Sequence, residues 1–219
     1  MYLLRIKLKH KLIRTIKNNK MKNLKRTVFA VIALFTLGTV NAEGIKEGKH
    51  AVDAAKSTVT WKGEKVTGEH VGNIDLKSGD LEIKDGELVG GEFVIDMTSI
   101  ESMDLTGEYK GKLEGHLKSD DFFGVATYPI ASLKITEVKA TDKKGNYDVT
   151  ADLTIKNITK PITFTTTLIN TEGLIYANSN IIIDRSEYDV KYGSGSFFDN
   201  LGDQTIYDDF TLTVNLVAK

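Results

Sequence analysis

The sequence predicts an all-β domain of about eight antiparallel strands, arranged as an up-and-down barrel or a sandwich. Three observations point there. Beyond residue 42, apolar and polar residues alternate with period two in run after run. Clusters of Gly, Asn, Asp and Ser separate those runs. No internal repeat, low-complexity tract or Pro-rich linker divides the segment, so it reads as one domain.

The predicted strands are Ser57–Lys65, Val71–Ser78, Asp80–Lys84 with Glu87–Met97, Ile130–Ala140, Tyr147–Ile155, Ile162–Ile169, Leu174–Ile183 and Thr205–Val217. Turns are predicted at Lys77-Ser78-Gly79-Asp80, Asp85-Gly86, Lys144-Gly145-Asn146 and Thr171-Glu172-Gly173. Asp-Gly between two β-rich runs is a strong hairpin signal, because both central residues of a type I′ turn need positive φ. One segment departs from period two. Glu108–Ser119 places Tyr109, Leu113 and Leu117 four apart among charges, which is the spacing of a short amphipathic helix.

Each strand has one apolar face. Val59 and Trp61 oppose Thr58, Thr60 and Lys62; Phe93, Ile95 and Met97 oppose Glu92, Val94 and Asp96. Val149, Ala151, Leu153 and Ile155 oppose Thr150, Asp152 and Thr154; Ile162, Phe164 and Leu168 oppose Thr163, Thr165 and Thr167. Phe210, Leu212, Val214 and Leu216 oppose Thr211, Thr213 and Asn215. With Leu133, Ile135, Ile181, Ile183 and Arg185 added, the residues predicted to line the interior are Val59, Trp61, Phe93, Ile95, Met97, Val149, Leu153, Ile162, Phe164, Leu168, Phe210 and Leu212. An eight-stranded barrel either fills with side chains or keeps room for one small ligand. Ala131, Ala151 and Ala177, small residues on or near these faces, lean toward room.

The whole-chain charge of −1 conceals two different pieces. Residues 1–42 hold ten Lys/Arg and no acid. From Met21 the chain reads as a basic n-region, an apolar h-region over about residues 27–38 and a Val40-Asn41-Ala42 ending, the three parts of a secretory signal peptide. The expectation is a leader at 21–42 cut after Ala42, with 1–20 an over-called start or an extended n-region. A retained anchor is the alternative, although the apolar run falls short of the ~20 residues of a comfortable span. Cleavage leaves a short tail (43–51) and the barrel (52–219), in which 19 Lys+Arg face 30 Asp+Glu, a net charge of −11. Such a domain lacks the cations that phosphate binding needs, which argues against nucleic acid and anionic membrane partners. With no Cys, disulfide scaffolds, thiolate metal sites, thiol catalysis and a lipidated N-terminal Cys are excluded.

Six stretches, in order, resemble the YceI-like family of exported, lipocalin-like, polyisoprenoid-binding-type proteins. They are Ser57–Gly63 with Gly68–Gly72, Gly91–Ile100, Leu113–Phe123 with Tyr128-Pro129, Leu153–Lys156, Thr159–Phe164 and Ile183–Tyr188. The resemblance implies an eight-stranded antiparallel up-and-down barrel with a short helix between the third and fourth long strands, enclosing a long apolar pore. It further implies a lipid-like ligand, such as an isoprenoid or fatty-acyl/amide molecule, and a periplasmic or secreted location. The expected function is non-covalent carriage or storage of that molecule, by a monomer or homodimer with no cofactor. The Gly-rich segment Tyr192–Gly202 is similar to a Bacteroidetes-type subgroup and would reshape the pore mouth.

Chemistry beyond binding finds few candidates. His70 and His116, with Asp120 or Glu69 as a third ligand, are the residues of an alternative metal-dependent or hydrolytic reading, but no HxH or HExxH spacing supports a metal. Gly193-Ser194-Gly195-Ser196 lacks the strand–turn–helix context of a nucleophile elbow. The adjacent pairs Asp120-Asp121 and Asp208-Asp209 diverge in regular backbone, so no acid/base dyad is expected. His50 is expected in solvent. Arg185 shares phase with Ile181 and Ile183, so its guanidinium points at the interior or the mouth. There it either pairs with Asp96, Asp104 or Asp184, or meets a polar ligand head group. The remaining alternative is a ligand-free structural or stress-response barrel with a filled interior.

Overall fold

The computed structural model describes residues 45–219; the expected leader lies outside the described residues. Nine strands follow one another: β1 (Gly48–Ala51), β2 (Thr58–Lys65), β3 (Gly68–Lys84), β4 (Glu87–Ser102), β5 (Ile130–Ala140), β6 (Asn146–Ile155), β7 (Ile158–Thr171), β8 (Leu174–Asp184) and β9 (Ile206–Ala218). The helix α1 (Gly107–Lys118) lies between β4 and β5. All pairings are antiparallel, in the order β1-β3-β2-β9-β8-β7-β6-β5-β4, and a β3–β4 pairing closes the barrel.

Closure uses eight positions, not nine. β2 pairs with the first half of β3, Gly68 to Ile74, and β1 pairs with its second half, Asp80 to Ile83. The two short strands thus share one edge of a 17-residue strand. The segment expected as a tail is therefore part of the wall, and the Val52–Ala218 bridge joins it to β9. His50 sits on this strand with Nε2 2.7 Å from the Lys46 carbonyl.

Turn chemistry explains the hairpins. Asp85 and Gly86 both have positive φ, as do Glu172 and Gly173. Lys156 and Asn157 form the same kind of turn without a glycine, which is why no signal marked it. The expected turn at Lys77–Asp80 is instead continuous β3, interrupted by a bulge between Leu76 and Ser78. Gly79 is there for space: a Cβ would stand 2.5 Å from the Phe93 ring on the facing strand.

The interior has two apolar clusters, one per end. At the end bearing the start of β1 and the Asp85-Gly86 turn, Leu81, Ile83, Leu88, Phe93, Tyr147, Val149, Ala151, Leu168 and Ile175 fill the barrel. At the other end Val59, Trp61, Ile74, Met97, Ile100, Leu153, Ile155, Ile183 and Tyr188 join α1 and its following turn. Only Leu117 of α1 is fully buried; Tyr109, expected on the packed stripe, is exposed. The helix is pinned through Glu114, whose Oε1 accepts the Ser102 backbone N–H at 2.9 Å.

Candidate functional site

The end that carries α1 is where the interior opens. Immediately after α1 the chain turns tightly: the N–H groups of Phe123 and Val125 donate to Leu117 and Lys118, and that of Gly124 donates to Ser119. This holds Phe122 and Phe123 over the barrel, their rings edge to face at 5.0 Å, with Phe123 6.4 Å from Phe210. Beneath them lies a cavity of about 120 Å³. Its wall is almost all carbon, from Val59, Trp61, Ile74, Ile95, Met97, Ile100, Leu117, Ala131, Leu153, Ile155, Ile183, Phe210 and Leu212 besides the two phenylalanines. Ile206 and Tyr207 line its outer part.

Arg185 is the one charged residue on that wall, and it is 3% exposed. It opens a 3-10 turn (Arg185–Tyr188) directly after β8. Its Nε donates to the Tyr207 carbonyl at 3.2 Å, Nη1 to Val190 at 2.7 Å and Nη2 to Ile206 at 3.1 Å, with Asp208 Oδ1 3.3 Å from Nη2. The Phe122 ring lies 5.3 Å from the guanidinium carbon. Burial pushes the guanidinium down from its ordinary value, and Asp208 and Asp184 oppose this. The ion pair is with Asp208, not with the expected Asp96, Asp104 or Asp184. Those three are engaged locally: Asp96 holds Thr98, Asp104 holds His70, and Asp184 caps the turn at Ser186.

Of the residues predicted to line the interior, Val59, Trp61, Ile95, Met97, Leu153, Ile183, Arg185, Phe210 and Leu212 form the cavity wall. Phe93, Val149 and Leu168 belong to the filled end. Ile135 packs against that end, while Leu133, Ile162 and Phe164 pack against both clusters. Ile181 is buried in the open-end cluster but off the wall. Ala131 lines the cavity, whereas Ala151 and Ala177 are in the filled end. The space is thus a pocket in half of the barrel, not a pore along its length. Period two did not reveal Phe122 and Phe123; a signal was their pairing at the end of an amphipathic helix, where an apolar doublet has only the barrel to cover.

The histidines stand apart from this wall. His70 Nδ1 is 2.8 Å from Asp104 Oδ2. Burial alone would raise the Asp104 carboxyl, but hydrogen bonds from His70, Ser102 and Val71 outweigh it and hold the group below its usual range. The His116 ring packs edge-on against Tyr192 at 4.3 Å and Phe122 at 5.5 Å. Among the described residues no three His, Cys, Asp or Glu side chains come together as metal ligands. Ser194 is fully buried, and its Oγ accepts the Ser196 N–H at 3.1 Å as a loop brace.

A family model described as a YceI-like domain matches residues 50–218. A UPF0312 protein of Vibrio parahaemolyticus is 30% identical over 145 residues, 65% of this chain and 71% of that protein. A UPF0312 protein of Pseudomonas putida is 48% identical over 58 residues, which span 26% of this chain and only 29% of that relative's length. Among solved structures, Burkholderia cenocepacia BcnA superposes with a TM-score of 0.63 at 22% identity, covering 77% of this chain and 99% of that one. A polyisoprenoid binding domain from Saccharophagus degradans, implicated in plant cell wall breakdown, gives 0.61 at 17% identity, covering 78% and 97%. These two likenesses concern the fold.

Proposed function

The chain belongs to the YceI-like family, and from that premise we propose that it binds a long hydrophobic molecule non-covalently, one end of the chain seated in the pocket. The observation that carries this is the pocket itself: a carbon-walled space, shut at one end by a packed core and lined at the other by Ile206 and Tyr207. Each methylene transferred there contributes about 0.8 kcal/mol before ordering costs. A volume of about 120 Å³ is near the ~150 Å³ that holds a benzene ring. A longer isoprenoid or fatty-acyl chain therefore leads out through the mouth or displaces flexible wall residues such as Met97.

The same geometry favours carriage over catalysis. The wall is almost all carbon, and Nε, Nη1 and Nη2 of Arg185 already hold backbone carbonyls, so a head group meets a committed guanidinium. His70 and His116, the residues of the enzymatic alternative, do not line the pocket: His70 is bound to Asp104, and His116 packs against Tyr192 and Phe122. The domain is proposed to act after export, on the strength of the leader at 21–42. Organic extraction and native mass spectrometry of the purified protein test the reading. A co-purifying hydrophobic molecule, displaced by substitutions that fill the pocket, is the expected result; protein that is consistently empty and takes up no added isoprenoid or fatty amide would overturn it.

A further inference from the structure

The rim of the pocket carries exposed apolar side chains that the barrel does not need for its own core. Between the 3-10 turn and β9 the chain crosses the mouth, and Tyr192, Phe197 and Phe198 are 50%, 44% and 50% exposed there. Tyr207, which lines the pocket, is itself 50% exposed. At the neighbouring β2–β3 tip, Val66 is exposed and its N–H donates to the Thr205 carbonyl at 3.1 Å. Tyr207 thus reaches from the pocket wall to solvent, and the loop that carries the two phenylalanines is tied through Ser196 to the adjacent Asp208.

This loop is held in place. Ser194 is fully buried and its carbonyl accepts the N–H groups of both Phe197 and Phe198. Ser196 Oγ donates to Asp208 Oδ2 at 2.6 Å, the same carboxylate that pairs with Arg185. Ile206 N–H returns to the Gly193 carbonyl at 2.8 Å. The two phenylalanines are therefore presented to solvent by a braced turn, which costs hydration free energy unless something covers them.

We propose that this aromatic rim docks on a lipid bilayer, with the mouth facing the membrane so that a chain passes between bilayer and pocket. The inference rests on the hydrophobic-ligand reading above. Continuity with the pocket favours lipid as the covering surface, since aromatic side chains flanking an apolar entrance suit the interface between headgroups and acyl chains. Charge selects the kind of lipid. From Asp189 to Thr205 the segment holds three acids (Asp189, Asp199 and Asp203) against Lys191, so the contact is apolar and suits zwitterionic, not anionic, headgroups.

Because the chain contains no cysteine, one introduced cysteine carries one environment-sensitive label, and full-length protein can be used. Asp199→Cys beside the rim and Glu172→Cys at the opposite end are each labelled and mixed with phosphatidylcholine vesicles. The expected result is a blue shift, with quenching by lipid-borne quenchers, at position 199 and none at 172. Phe197→Ser with Phe198→Ser should lower the apparent vesicle affinity of the 199 signal by about tenfold or more, while Val89→Ser with Ile169→Ser at the far end leaves it unchanged. Equal responses at both positions, no response at 199, or a response confined to anionic vesicles and removed by salt would overturn the proposal. Ligand retention by the same variants, read by extraction, keeps the two ideas separate: a rim variant that holds its ligand but does not dock supports docking as a distinct function. Wild-type protein that holds ligand with no response at 199 refutes docking and leaves carriage standing.

Discussion

Arg185 Nη2 and Asp208 Oδ1 stand 3.3 Å apart because β8 and β9 run antiparallel with Asp184 opposite Asp209, which brings the next residue outward on each strand face to face. The same guanidinium holds the carbonyls of Val190, Ile206 and Tyr207, so one side chain ties together both ends of the loop that crosses the mouth. Arg185→Met leaves a largely buried carboxylate without its partner and should cost about 3 kcal/mol. Arg185→Met combined with Asp208→Leu should recover most of that loss, since removing both charges removes the desolvation penalty. Urea denaturation of the single and double variants measures both; a double variant as unstable as the single would place the cost in the carbonyl contacts instead.

Direction was legible in the sequence and height was not. Val149 and Leu153 lie on one face of one strand and both point inward, yet Val149 is in the filled end and Leu153 lines the pocket. Period two fixes the face but says nothing about position along the axis, which depends on register around the whole barrel. The partner of Arg185 was within reach: the inward phase of β9, Leu212 and Phe210, continues to Asp208 just as Ile181 and Ile183 continue to Arg185. The strand at Gly48–Ala51 was not, because four residues with no large apolar side chain carry no alternation and form a strand only on the edge that the long β3 offers.

The division into a filled and an open end predicts two opposite phenotypes. Ala131 is buried on the pocket wall, so Ala131→Leu adds three carbons to free space. It should reduce retained hydrophobic ligand by about tenfold or more with a stability change of under about 1 kcal/mol. Val149→Ala opens a void in the packed end and should cost about 2 kcal/mol while leaving ligand content unchanged. Extraction and denaturant titration on the same preparations distinguish the two; loss of ligand in the Val149 variant would mean that the ends are not independent.

Glycines give a sharper test of packing. A Cβ at Gly72 would stand 1.9 Å from the Glu101 carbonyl and 2.4 Å from the Trp61 ring, so Gly72→Ala must move backbone or the indole. The expected cost is about 3 kcal/mol, with a shifted emission from Trp61, the chain's one tryptophan. At Gly111 on α1 a Cβ meets nothing within 4 Å. Gly111→Ala should therefore stabilise the protein by about 0.5–1 kcal/mol through helix propensity alone. Thermal denaturation of the pair should move the midpoint in opposite directions.

Alkaline pH tests the two ends together. Burial, with Glu87 as hydrogen-bond partner, pushes the Tyr147 hydroxyl up from 10.0 to about 12 in the filled end. Burial beside Glu187 and Asp184 raises Tyr188 to about 12 at the open end. For both groups the folded state keeps its proton at a pH where the unfolded chain has lost it. Their contribution to stability is thus complete below pH 10 and disappears as pH rises from 10 toward about 12. Unfolding free energy should be flat on approach to pH 10 and then fall, with tyrosinate absorbance of these two residues appearing only with unfolding. Tyr147→Phe and Tyr188→Phe should each remove part of the fall, and the double variant should show a shallower slope than either. If the slope is the same in all four proteins, alkaline loss of stability comes from lysine deprotonation at surface pairs such as Lys134 with Glu92, and the buried hydroxyls are not what limits the fold at high pH.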